Sequence, residues 1–89
     1  MPERRVTVGW AEGLHARAAT VLVKAVKSTG VPMTIAKEGG TPVNAGSMLG
    51  LLALGSERGD TVVLAAEDDA ALDRVAKLVQ EGLDELPPA

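Results

Sequence analysis

The chain has no cysteine, phenylalanine or tyrosine, and Trp10 is its only aromatic residue. Without cysteine there can be no disulfide, no thiolate nucleophile and no cysteine-ligated metal. One aromatic side chain cannot build the stacking platform on which single-stranded nucleic acid binds. Basic residues are also in the minority: 9 Lys and Arg stand against 12 Asp and Glu, for a net charge of −3 and a pI near 5.0. That balance argues against a nucleic-acid partner. No apolar run approaches membrane-spanning length, and the charged start Met1-Pro2-Glu3-Arg4-Arg5 leads into no apolar h-region. A cytoplasmic protein without membrane insertion is therefore expected. Histidine is as scarce as tryptophan, with His15 the sole example.

What is present belongs to a globular protein. Hydrophobic residues make up 46% and charged residues 24% of 89 positions, too apolar a mixture for a disordered chain. The length supports one domain over residues 1–89, burying roughly 60–65% of its unfolded surface. Arg4 to Trp10 alternates, with Val6, Val8 and Trp10 opposite Arg5, Thr7 and Gly9, which predicts a half-buried strand. A short loop turned by Gly13 leads into a helix from His15 or Ala16 to Thr29. Its apolar stripe is Ala19, Leu22, Val23 and Val26, and Gly30 stops it. Val31 to Lys37 reads as a second strand, joined through a tight Gly39-Gly40 hairpin to Thr41–Asn44. Ser47 opens a short apolar helix, Met48 to Leu54, closed by Gly55. Asp60 to Ala66 is the last strand. A final helix follows, capped by Asp68 or Asp69 and striped by Leu72, Val75, Ala76, Val79 and Leu83, with Pro87-Pro88 ending it. The order β-α-β-β-α-β-α predicts an α+β, two-layer open-faced sandwich: an antiparallel four-stranded sheet, three helices on one face and water on the other.

Gly13-Leu14-His15-Ala16-Arg17 is where chemistry is concentrated. At a helix N-terminus the first N–H groups lack intrahelical partners and the dipole favours negative charge, so His15 would stand where phosphate is readily held. Arg17 adds a fixed cation with several donors. A lone histidine near a helix start is otherwise an ordinary surface residue, and Arg17 alone a solvated helix charge. Ser47 is a favoured N-cap. Met48, Leu49, Leu51 and Leu52 span most of a helix circumference and cannot all face a core. Either they pack under the loop after Gly55, or Leu51 turns inward while Met48, Leu49 and Leu52 form an exposed patch of the kind that marks interaction sites. Trp10 is expected to anchor the end of the first strand.

Two motifs in this element order carry a family resemblance along the whole chain: GLHAR at 13–17, and VNAGSMLGLLALG at 43–55. The chain resembles HPr, the histidine-containing phosphocarrier of the bacterial sugar phosphotransferase system. The resemblance implies strand order 1-4-2-3 and a phosphoryl carrier, not a turnover enzyme. In that reading His15 is the phosphorylated nucleophile, through Nδ1, and the Arg17 guanidinium stabilises charge. The Ala16 and Arg17 backbone N–H groups bind phosphate, and Ser47 is a regulatory phosphorylation site. Met48, Leu49 and Leu52 dock partners. Those partners would be enzyme I, IIA domains of enzyme II, HPr kinase/phosphorylase and transcriptional regulators, met by a monomer that needs no cofactor or metal. Two positions depart from the family pattern: Ala18 stands where proline is usual, and Glu12 where relatives often carry a small polar residue. Three other readings compete. One is a regulatory HPr-like binding protein acting through Ser47 and docking. Another is a carrier in a nitrogen-linked or dihydroxyacetone-kinase phosphorelay. A small ligand-sensing module is disfavoured by the lack of a polar pocket motif.

Overall fold

The computed structural model describes residues 2–9 and 16–81. Its elements are β1 (Glu3–Thr7), α1 (Ala16–Thr29), β2 (Met33–Lys37), β3 (Val43–Asn44), α2 (Met48–Leu54), β4 (Thr61–Ala66) and α3 (Asp69–Glu81). The strands form one sheet in the order β1-β4-β2-β3, every neighbour antiparallel, as expected for the open-faced sandwich. TVVLAA supplies β4, which with β2 is one of the two strands paired on both edges. Its β-branched and apolar content suits a position buried between neighbours.

Alternation decides which residues enter the core. Val62, Leu64 and Ala66 of β4 are fully buried, as is Ile35 of β2, while Val6 of β1 and Met33 of β2 are nearly so. Against them pack Ala19, Leu22, Val23 and Val26 from α1, and Leu72, Val75, Ala76 and Val79 from α3. Both helical stripes therefore lie where the 3.6-residue period puts them. Leu83 and Pro87-Pro88 lie outside the described residues.

Arg4 shares a row with Leu64, Ile35 and Val43 across the sheet, but at the edge it meets α3 instead of the core. Its Nε donates to Asp73 Oδ1 at 2.7 Å and its Nη2 to Asp69 Oδ1 at 3.3 Å. The hydrogen bond Arg4 donates to Asp73 pushes the Arg4 pKa above its already high ordinary value, so the charge is permanent. On the opposite face Arg5 pairs with Glu38 at 3.0 Å, reaching from β1 past the central strand. Ala36 and Ala65 on that face are buried, so it is less open than alternation alone implies.

Several boundaries differ from those read in the sequence. β1 ends at Thr7 because the chain beyond it is held by other partners, including the last turn of α3. β2 begins at Met33, since Pro32 has no N–H for a ladder. The Gly39-Gly40 turn forms, with Gly40 N–H donating to Lys37 O at 2.7 Å and Gly39 at φ +79°. It is not a two-residue hairpin: β3 starts only at Val43, because Pro42 cannot extend the ladder backwards. The cap of α3 is Asp68, whose Oδ1 accepts from Ala71 N–H at 3.1 Å.

Candidate functional site

His15 lies outside the described residues, as do Trp10, Glu12, Gly13 and Leu14. The frame on either side of that segment is well defined. Val8 N–H donates to Asp60 O and Val8 O accepts from Gly59 N–H, both at 2.9 Å. Gly9 N–H donates to Val79 O at 3.1 Å, tying the chain to the end of α3. On the far side α1 begins at Ala16, directly after His15, so the Ala16 and Arg17 N–H groups fall in a first turn without intrahelical acceptors. That turn carries no acidic residue. Ala18 and Ala19 are buried beneath it, and Arg17 is exposed. An anion at this end would thus meet the positive helix end and a nearby guanidinium.

α2 is placed by its two caps. Ser47 has extended backbone (φ −112°, ψ 120°), and its Oγ accepts from Gly50 N–H at 3.1 Å. Its own carbonyl accepts from Leu51 N–H at 3.0 Å. Gly55 closes the helix in the left-handed region at φ 63°, where a side chain would be strained. Gly50 permits a close approach to β3: a Cβ there would lie 3.2 Å from Asn44 O and 3.4 Å from Val43 Cβ.

The four apolar residues of α2 divide by direction. Leu51 is fully buried in the core, whereas Leu49 is 81% and Leu52 42% exposed. Met48 is intermediate: it packs against the core rim, half-buried where the sequence reading had it exposed. Its Sδ accepts from Thr20 Oγ1 at 3.8 Å. Thr20 is one turn along α1 from Arg17, on the same side of the helix. The contact therefore sets the start of α2, with Ser47 and its apolar residues, against the first turns of α1. Met48 is thus joined to α1 one turn from Arg17.

Sequence reasoning missed Ser56. It is fully buried just past α2, and among the described residues its Oγ has no hydrogen-bond partner. No spacing or motif signalled it. Among the described residues there is no cluster of three or more His, Asp or Glu side chains able to hold a metal, and no helix long and apolar enough to cross a membrane.

A 1-4-2-3 antiparallel sheet under three helices makes an open-faced α+β sandwich. Residues 2–81 match the family described as PTS HPr component phosphorylation site. The chain is 61% identical over 90 residues to phosphocarrier protein HPr of Streptomyces coelicolor, covering 98% of this chain and 97% of that one. It is 41% identical over 86 residues to phosphocarrier protein NPr of Shewanella violacea, covering 93% of each. A crystal structure of HPr-C-His from Thermoanaerobacter tengcongensis superposes with a TM-score of 0.84 at 29% identity, covering 98% of this chain and all (100%) of that one. The chain belongs to the HPr family of phosphotransferase-system phosphocarriers.

Proposed function

We propose that His15 accepts a phosphoryl group from phosphorylated enzyme I and passes it to the IIA domain of a sugar-specific enzyme II, so that the protein serves sugar uptake in the cytoplasm. The observation that carries this reading is the start of α1 at Ala16, immediately after the only histidine, with the start of α2, whose Leu49 and Leu52 are exposed, tied to α1 through Thr20 and Met48.

In the transfer, neutral imidazole attacks phosphorus. The N–P bond forms as the donor's bond to phosphorus breaks, and the electron pair of that bond leaves with the donor. The positive helix end favours the unprotonated imidazole and also the dianionic group it receives. Arg17 and the Ala16 and Arg17 N–H groups balance charge on the transferring phosphoryl oxygens. A single helix end contributes only ~0.3–1 kcal/mol of dipole stabilisation. That weak hold suits a carrier, which must surrender what it binds. The protein is a stoichiometric relay with no metal or cofactor of its own.

Leu49, Leu52 and the outer edge of Met48 form the docking patch shared by successive partners. A relay has to release each partner quickly, which calls for a small interface, below ~1,200 Å² in total. Ser47 would be the target of HPr kinase/phosphorylase. Phosphate there suits the helix N-terminus, so it would act by placing negative charge beside the patch, not by unfolding α2. Greater identity to an HPr than to an NPr favours the sugar branch over a nitrogen-linked one.

The test is incubation with phosphoenolpyruvate and enzyme I, followed by intact mass measurement. An acid-labile, phosphate-sized gain is expected, absent from His15→Ala. Equal labelling of His15→Ala would refute the assignment. No labelling of the natural protein would leave the purely regulatory reading through Ser47 as the better one.

A further inference from the structure

We propose that Met48 is a reversible oxidation site through which peroxide lowers the ability of the α2 patch to dock partners; the docking consequence, though not the site, rests on the function proposed above.

Two methionines lie among the described residues, and the fold treats them oppositely. Met33 is 3% exposed in the core, shut away from solvent oxidants. Met48 stands at the rim, and its sulfur makes a hydrogen bond at an exposed position, with Thr20 Oγ1 donating at 3.8 Å. A thioether sulfur has two lone pairs. One receives the Thr20 hydroxyl, and the other remains to attack a peroxide oxygen. In that step the S–O bond forms and the O–O bond breaks. Sulfur is oxidised by two electrons, and the peroxide leaves as water after proton transfer. The product is the sulfoxide, which thiol-dependent reductases return to the thioether.

The surroundings make the change consequential. A sulfoxide oxygen is a much stronger acceptor than a thioether sulfur, so the Thr20 hydroxyl, on the first turns of α1, gains a better partner and the contact between α1 and α2 is kept. Meanwhile a flexible apolar side chain becomes polar next to Leu49, 81% exposed, and Leu52, 42% exposed. Thr20 takes only one lone pair of that oxygen, so a partner covering those leucines would have to strip water from the rest without offering a donor in return. Oxidation therefore acts on docking and leaves the fold in place. Because Met48 follows Ser47 directly and lies within one turn of Leu49 and Leu52, the modification falls inside the patch and not beside it.

The experiment treats the folded protein with hydrogen peroxide, maps the added oxygen by peptide mass spectrometry, and compares phosphorylation rates by enzyme I. The natural protein should gain oxygen at Met48 well before Met33, and its rate at subsaturating concentration should fall about tenfold, as dehydrating one remaining acceptor site of the sulfoxide on docking implies. Methionine sulfoxide reductase with a thiol should restore it. Met48→Leu, compared with its own untreated rate, should lose little on the same treatment, whatever happens to Met1. Oxidation of Met33 at the same rate as Met48 would overturn the site assignment. An unchanged rate in protein fully oxidised at Met48 would overturn the docking consequence while leaving His15 phosphorylation untouched. Loss of the circular dichroism signal on oxidation would overturn the claim that the fold is kept.

Discussion

Ser47 can be tested as a structural residue separately from any role in regulation. Its hydroxyl is the side-chain acceptor for the first turn of α2, taking the Gly50 N–H at 3.1 Å. Replacing it by alanine leaves that donor to solvent, and cap removal costs about 1 kcal/mol, within a range of roughly 0.5–2. The loss reaches the whole fold because α2 inserts Leu51, fully buried, into the common core. In a protein of this size 1 kcal/mol lowers the melting temperature by about 4–8 °C. Ser47→Asp is the informative partner variant. A carboxylate accepts the same N–H and adds charge that the helix N-terminus favours, so its stability should stay within about 0.5 kcal/mol of the natural protein. Urea titrations followed by circular dichroism give both numbers, with equal slopes showing that the folded state is unchanged. Phosphorylation by enzyme I should be slow in Ser47→Asp and near normal in Ser47→Ala. A Ser47→Ala variant of natural stability, or a Ser47→Asp variant as unstable as it, would refute the capping argument.

Leu49→Asp and Leu52→Asp should leave stability within about 0.5 kcal/mol, because both side chains face solvent. Each should nevertheless slow transfer from enzyme I, and unchanged kinetics in both would remove them from the docking face. Ser56→Ala removes a buried hydroxyl that has no partner among the described residues, so thermal denaturation should show neutrality or a gain of up to about 1 kcal/mol. A loss larger than that would reveal a partner for the hydroxyl. Ala18→Pro places proline in the first turn of α1, where the N–H it removes has no intrahelical acceptor. It should change the urea midpoint more than the transfer rate; a large gain in transfer would show that the departure from the family pattern limits activity.

The elements with strong periodicity were legible in the sequence. The stripe Ala19, Leu22, Val23 and Val26 and the stripe Leu72, Val75, Ala76 and Val79 both reached the core, because a helix packed on a sheet has only one face to bury. α2 was legible through its punctuation, Ser47 before it and Gly55 after it. Strand ends were less so. Thr41 and Pro42 read as part of a hairpin, yet proline cannot donate to the ladder, and only Val43 and Asn44 pair. For α2 the circumference showed only that its four apolar residues cannot all be buried, and of the two arrangements left open the fold has Leu51 inward and Leu49 and Leu52 outward. Met48 resisted that reading because its long side chain can reach the α1 surface from an intermediate angle, where Thr20 holds its sulfur. Ser56 was invisible for a different reason: a serine in a polar loop reads as exposed, and only the packing of the tertiary fold buries it. For the site, the sequence supplied the residue types, while the fold supplied the contact between Thr20 of α1 and Met48 at the start of α2.

Transfer onward is the most direct test of a relay. The protein is phosphorylated with labelled phosphoenolpyruvate and catalytic enzyme I, separated from both, and mixed with an equimolar IIA domain of a sugar-specific enzyme II. Label should leave the protein in a single phase and appear on the IIA domain, with His15→Ala carrying none at the outset. Label that stays on the protein, or departs only as inorganic phosphate at the rate seen without the IIA domain, would contradict the account.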